Sequence, residues 1–257
     1  MSLKENTEIR LGIRLHVFLA HAGVSSRRAA EKFISEGRVT VNGSAISGPG
    51  VKVLPTDVIC FDGKPVKIEE RLEYLVLHKP PLYICSSHDP QGRPLALELL
   101  PPLQSLADTT GRRPRLYNVG RLDYRSSGLI IFTNDGAFAA RLGHPSSEIE
   151  KEYLVESTVP IQDRMIEEFS RGLLIEGILY RARQIERTGK KSLRVVLVEG
   201  KNREIRRVFS HFHLHPEKLV RVRIGPVCLG SLKEGESRPL SREEISSLLG
   251  VEHDNSH

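Results

Sequence analysis

The stretch Asn118-Val119-Gly120-Arg121-Leu122-Asp123-Tyr124-Arg125-Ser126-Ser127-Gly128-Leu129-Ile130-Ile131-Phe132-Thr133-Asn134-Asp135-Gly136 is the most informative part of this 257-residue chain. Gly128 to Thr133 is an apolar run of strand length and reads as a buried strand. Asn134-Asp135-Gly136 then turns the chain into a helix carrying Phe138, Ala139 and Leu142. One acid, Asp123, lies on a Gly-flanked loop between arginines just before the strand. A carboxylate there has cationic neighbours and is available as a nucleophile or base. A structural Asp capping a turn has the same local surroundings, so spacing alone leaves both readings open.

Working outward, strands dominate. Tyr74-Leu75-Val76-Leu77 runs into Lys79-Pro80-Pro81, which stops any helix and predicts an edge position for the strand. Tyr153-Leu154-Val155 and Leu193 to Val198 are further strands. Arg203 to His211 has helical spacing, with Ile205, Val208, Phe209 and Phe212 on one side and Arg206-Arg207 beside them. The expected class is α+β with a mixed, mainly antiparallel sheet.

Residues from about Ile13 to Asp62 read as a separate compact module. His16 to Ala20 precede the turn signal Gly23, and Ser25-Ser26 can cap a second helix through Ile34 that Gly37 ends. Asn42-Gly43 between Arg38-Val39-Thr40-Val41 and Ser44-Ala45-Ile46 signals a type I′ hairpin. Ser25, Ser26, Arg27 and Arg28 at one helix start offer backbone N–H groups, hydroxyls and guanidinium groups to a phosphate; solvation of the first turn is the plainer alternative. Lys67 to Glu73 is short, charged and suited to a linker, which puts one domain at 10–70 and a second at 71–250.

Lys and Arg number 38 against 32 Asp and Glu, a net charge of +6. The surplus is concentrated: Lys201 to Gly225 holds seven basic and two acidic residues, and Arg112, Arg113, Arg115, Arg121 and Arg125 surround the single acid Asp123. Two such stretches suggest one electropositive face that gathers phosphates, against the alternative of solvated arginines with surface partners. No apolar run approaches the roughly 20 residues that span a bilayer, and the amino terminus lacks a signal peptide's apolar stretch. Cys60, Cys85 and Cys228 form no C-x-x-C pair, which fits a reducing cytoplasmic setting. Nucleotide-binding Gly-rich loops and H-E-x-x-H are absent, so no cofactor is expected. His211, His213 and His215 alternate but have no acidic partner spaced to complete a shell, so no metal is expected.

The amino-terminal segment resembles the small alpha-L RNA-binding module shared with ribosomal small-subunit protein four, through Arg14 to Arg28, Ile34, Gly37, Val39, Val41, Asn42 and Gly43. Beyond it, Gly120-Arg121-Leu122-Asp123, Ser127-Gly128-Leu129 and Thr133-Asn134-Asp135-Gly136 resemble the signature of bacterial ribosomal RNA pseudouridine synthases, in the branch acting on small-subunit and large-subunit RNA. Leu77-His78-Lys79-Pro80, Cys85-Ser86 and Asp89 to Pro94 are similar to that branch's opening motif. His144-Pro145 and Glu150 to Tyr153 resemble its second, Glu199 to Arg207 its third, and Leu219 to Pro226 its closing strand. Nearly the whole chain is covered. The family usually has a Gly shortly after the Lys-Pro pair, where this chain reads Pro81-Leu82-Tyr83.

The resemblance implies an isomerase that detaches uracil from ribose at nitrogen and reattaches it through carbon, without a cofactor. Asp123 occupies the place of the essential Asp. Arg206 matches the basic residue that pairs with it, Tyr153 the ring packed against the base, and Leu219 an apolar residue lining the uracil pocket; Arg121 stands beside them as support. Glycoside hydrolases generally use two carboxylates, whereas a lone Asp suits an isomerase that keeps its leaving group. Turning a base out of structured RNA costs about a few kcal/mol, which RNA-binding residues would offset: Ser25, Arg27, Arg28, Arg125, Lys201, Arg203, Arg207, Arg221 and Arg223. The expected partner is ribosomal RNA or an assembly particle, with the chain acting as a monomer. Asp89 to Pro94 and Gly200 to Arg206 look closer to the large-subunit members. The alternatives are the same enzyme on small-subunit RNA, a non-catalytic RNA-binding assembly factor, and a nuclease using His211 and His213.

Overall fold

The computed structural model describes residues 12–68, 71–101 and 115–250. The chain divides into two compact units, with the change between Leu72 and Glu73 and with Arg115 belonging to the first. Of the features read from the sequence, Glu69 and Glu70 of the linker and Arg112 and Arg113 of the basic cluster lie outside the described residues.

The first unit is built from β1 (Ile13–Arg14), α1 (Leu15–His21), α2 (Arg27–Ser35), β2 (Val39–Val41), β3 (Ser44–Ile46), β4 (Lys52–Val53), β5 (Ile59–Phe61) and β6 (Lys64–Val66). Ser26 caps α2 by accepting a hydrogen bond from the Ala29 N–H at 3.2 Å. Asn42 and Gly43 both take positive φ, +51° and +83°, as a type I′ turn between β2 and β3 requires. Four strands run in the order β3-β2-β5-β6. Leu15, Leu19, Ala30, Ile34, Val39 and Ile59 form the core between helices and sheet.

The second unit contains a sheet of nine strands. Its elements are β7 (Tyr74–Lys79), β8 (Tyr117–Val119), β9 (Ser127–Thr133), α3 (Gly136–Gly143), β10 (Lys151–Ser157), α4 (Asp163–Arg171), β11 (Leu173–Ile175), β12 (Ile178–Tyr180), β13 (Gln184–Gly189), β14 (Ser192–Leu197), α5 (Glu204–His211), β15 (Pro216–Ile224), β16 (Val227–Cys228), β17 (Ser237–Pro239) and α6 (Arg242–Leu248). The main path is β13-β14-β10-β15-β9-β7-β17, with β16 beside β15, β8 beside β9, and β11 paired with β12 apart from it. The pairings are antiparallel except β9 with β15. The fold is α+β and mainly antiparallel, as the sequence predicts.

All seven residues of β9 are buried: β7 covers one edge, β15 and β8 share the other, and Phe138 and Leu142 of α3 and Leu248 of α6 pack in one core with Leu129 and Ile131. Asp135 caps α3, its carboxylate accepting from the Ala137 and Phe138 N–H groups at 2.9 and 3.0 Å. One expectation fails: β7 is not at an edge but lies between β9 and β17. Pro80 and Pro81 follow its last residue, so they interrupt no ladder hydrogen bond and impose no edge.

Gly128 is required where β9 meets β15. Its φ is +108°, and a Cβ there would fall 2.2 Å from the Arg221 carbonyl oxygen and 2.5 Å from the Arg221 nitrogen. That close approach seats Arg221 opposite Gly128 in the parallel register and fixes where the start of β9, and the loop before it, stands relative to β15.

Candidate active site

Asp123 sits on the loop between β8 and β9. Gly120 opens the loop at φ +70°, and the Ser126 N–H donates to the Asp123 carbonyl at 3.0 Å to close a turn. The Leu122 N–H donates to the buried Cys85 sulfur at 3.4 Å. The Leu82 N–H donates to the Tyr124 carbonyl at 2.6 Å. Leu82 makes this bond from the left-handed region, φ +67°, the conformation a glycine adopts at no steric cost. Within Pro81-Leu82-Tyr83, Leu82 thus holds a backbone shape that favours glycine.

Lys79 braces the same region. It is fully buried at the end of β7 and its Nζ donates to the Pro80 and Tyr83 carbonyls at 2.7 and 3.0 Å. Burial pushes its ammonium down to about 8, with the nearby Cys85 and Asp123 opposing the shift. Cys85 is itself pushed up by burial.

From the opposite side, α5 delivers Arg206. Its Nε lies 3.3 Å from Asp123 Oδ2, while its Nη2 donates to the buried Ser126 hydroxyl at 3.1 Å. The Nε–H is not aligned for a hydrogen bond, so Asp123 is held by charge and the guanidinium is oriented by Ser126. The pair is shielded: the side chains are 12% and 29% exposed for Arg206 and Asp123. Burial lowers the Arg206 pKa, with Asp123 the largest opposing influence.

Asp123 and Arg206 face a cavity of about 380 Å³ that Arg121, Tyr153, Leu219 and Arg221 also line, a size that suits one small ligand. The β10–β15 register sets Tyr153 opposite Arg221 and Val155 opposite Leu219. All five residues read from the sequence as catalytic or supporting thus meet in one place. A second carboxyl group, Glu204, also lines the cavity. It is 4% exposed, burial raises it to about 6, and its Oε2 accepts the Lys201 N–H at 3.2 Å. That backbone bond commits Glu204 to shaping the start of α5. Lys151 lines the cavity and donates to the Ile149 and Val198 carbonyls, both at 2.9 Å.

The residues read as RNA contacts divide. Arg27 and Arg28 are exposed in the first turn of α2, and Ser25 is half-buried with its hydroxyl donating to the Ser26 carbonyl at 3.2 Å. Arg125 and Arg203 are exposed. Lys201 donates to the Leu179 carbonyl at 2.7 Å, and Arg207 pairs with Glu176 at 3.2 Å. Arg223 is tied to Glu150 and Glu152 at 3.0 and 2.9 Å, which neutralises it. Arg221 is 4% exposed and is an interior group, not an outward grip on a phosphate backbone. The β10–β15 register shifts by one residue between the Tyr153–Arg221 and Glu152–Arg223 pairs, so strand alternation breaks there: Arg221 turns to the cavity with Tyr153, and Arg223 turns to Glu150 and Glu152 on the other face. Arg115, read with the cluster around Asp123, instead donates to the Ser25 carbonyl at 2.9 Å within the first unit.

Lys79, Cys85, Ser126, Lys151 and Glu204 belong to the site although no role was read for them. Each stands in a quoted motif, but only long-range pairing reveals that they are buried or half-buried around the Asp123 loop and its cavity. Among the described residues no three His, Cys, Asp or Glu side chains converge as a metal site, and no helix is long and apolar enough to cross a membrane.

A shielded Asp–Arg pair in a basic, ligand-sized cavity on a mixed sheet defines an enzyme pocket. Comparison with known proteins is specific about which. Residues 73–211 match the family model described as RNA pseudouridylate synthase, and residues 13–59 match the S4 domain. The chain is 40% identical to an uncharacterized RNA pseudouridine synthase of Borreliella burgdorferi, over 91% of this chain and 92% of that protein. It is 38% identical to ribosomal large subunit pseudouridine synthase B of Pseudomonas aeruginosa, over 95% of this chain and 64% of that protein. A crystal structure of pseudouridylate synthase is similar with a TM-score of 0.65 and 29% identity, over 92% of this chain and 99% of that one. The chain belongs to the RNA pseudouridylate synthase family.

Proposed function

We propose that this protein converts a specific uridine of large-subunit ribosomal RNA to pseudouridine, acting as a cytoplasmic monomer without a cofactor, with Asp123 as its catalytic group. The C1′–N1 bond breaks with its electron pair passing to the base. The base turns, its C5 bonds to C1′, the C5 proton is lost, and N1 takes up a proton. Asp123 supplies the carboxylate that acts on the sugar or the base, Arg206 holds it, Tyr153 packs against the uracil, Leu219 lines its pocket and Arg121 supports the loop. Arg125, Lys201, Arg203 and Arg207 hold the RNA near the cavity, and Ser25, Arg27 and Arg28 hold it at the amino-terminal module.

The observation that carries this reading is the Asp123–Arg206 pair facing a cavity lined by Tyr153 and Leu219. A binder has no use for a shielded carboxylate in such a cavity, and the other two carboxyl groups that line it are occupied, Glu204 by a backbone N–H and Glu199 by Lys201. The name of the Pseudomonas relative supports the choice of the large subunit. Mapping pseudouridines in the ribosomal RNA of cells lacking this protein tests it: one large-subunit site should disappear and return with the wild-type gene. Loss of a small-subunit site instead reassigns the substrate, and an unchanged map rejects the reading.

A further inference from the structure

Arg221 is charged, almost wholly buried and incompletely satisfied. Its Nε donates to the Leu129 carbonyl at 2.8 Å, which anchors the guanidinium to β9. Its Nη2 is buried and has no hydrogen-bond partner. Buried donors are nearly always paired, and an unpaired one on a cation is costly. The residue lines the Asp123 cavity and lies opposite Tyr153 in the β10–β15 register. Gly128 pins its backbone, so the guanidinium cannot easily swing away.

The surrounding charges strengthen the point. Six basic side chains and three carboxyl groups line the cavity. The carboxyl groups have partners: Asp123 with Arg206, Glu199 with Lys201, and Glu204 with a backbone N–H. No carboxylate remains for Arg221. A preorganised cavity with a surplus of positive charge, and with a spare N–H on its one buried cation, Arg221, is suited to charge that appears during reaction.

We propose that Arg221 contacts the substrate: its Nη2–H donates to a carbonyl oxygen of the target uracil and stabilises the negative charge gathered there once the base has left the sugar. This rests on the reading above. When the C1′–N1 bond breaks, its electron pair passes to the uracil ring and is shared by N1, O2 and O4. A donor at O2 or O4 stabilises the departed base, and its hold weakens as C5 bonds to C1′ and the charge disperses.

The test couples one protein group to one substrate atom. RNA fragments containing the target site are made with uridine, 2-thiouridine or 4-thiouridine at that position, sulfur being a poor acceptor. Single-turnover rates are measured for the wild type and for Arg221→Lys, which keeps the charge and loses Nη2, with thermal melting to verify folding. Arg221→Lys should slow the natural RNA about a hundredfold, the usual loss for one such donor. The thio effect at one oxygen should be at least tenfold different in the wild type and the variant. Equal thio effects in both proteins, at both oxygens, overturn the proposal. If Arg221→Lys does not fold, Arg221→Gln replaces it; if neither folds, the guanidinium signals of Arg221 in 15N-arginine-labelled wild type are followed as RNA binds. A shift that the thio RNA diminishes supports the contact, and an unmoved signal overturns it. Failure of the wild type to convert natural RNA would count against the proposed function instead.

Discussion

Arg206 Nε lies 3.3 Å from Asp123 Oδ2 while the same guanidinium donates through Nη2 to Ser126 at 3.1 Å. One side chain from α5 therefore fixes a carboxylate and the buried hydroxyl three residues beyond it, which makes orientation of Asp123 depend on Ser126. Arg206→Lys keeps the charge but cannot serve both groups. It should lower the single-turnover rate about a hundredfold, and Ser126→Ala about tenfold. Combined, the two should cost less than the product of the separate losses, since both act through one guanidinium.

Gly128→Ala should be among the most damaging single changes outside the cavity. A Cβ there would lie 2.2 Å from the Arg221 carbonyl oxygen, at a φ that disfavours any side chain. Relief requires separating β9 from β15. A loss of about 3 kcal/mol or more is expected by denaturant unfolding, and retention of wild-type stability would contradict the register described here.

Leu82→Gly should be tolerated and should stabilise. Leu82 holds φ +67° and is 52% exposed, so little packing is lost on removing it. The left-handed conformation costs an L-residue roughly 1–2 kcal/mol, partly offset by the unfolded-state freedom of glycine. A net gain of about 0.5–1 kcal/mol is expected, with conversion rate unchanged because the Leu82 N–H still holds the Tyr124 carbonyl.

Glu204→Gln should stabilise the protein at neutral pH. Burial raises the Glu204 carboxyl to about 6 from its ordinary value of 4.5. The folded state thus binds the proton more tightly than the unfolded chain, and the associated stability is full below pH 4.5 and lost as pH rises through 6. Gln retains an acceptor for the Lys201 N–H and stays neutral. Unfolding midpoints should favour the variant by on the order of 2 kcal/mol at pH 7.5 and should converge near pH 4.

Local signals carried most of the fold. Asn42-Gly43, Ser26 and Asp135 are turn and cap residues whose chemistry acts within a few positions, and each does what its type predicts. Asp123, Arg206, Tyr153, Leu219 and Arg121 were legible as a set only because the motifs occur in family order; nothing local says that α5 reaches the β8–β9 loop. The misreadings share a cause. The interior place of β7, the burial of Arg221 and the neutralisation of Arg223 all depend on which strands pair, a non-local matter that composition does not encode. Glu204 was hidden for the same reason, as an acid within a basic run that turns inward.

The central claim is that Asp123 carries the chemistry while the basic surfaces carry the RNA. It is tested most directly by tritium release from ribosomal RNA labelled at uracil C5, measured beside RNA binding for the wild type and Asp123→Asn. The wild type should release tritium from one site per RNA. Asp123→Asn, which keeps the size of the side chain, should release none while binding the RNA within a few-fold of the wild type. Release by Asp123→Asn at a rate near that of the wild type would contradict the account.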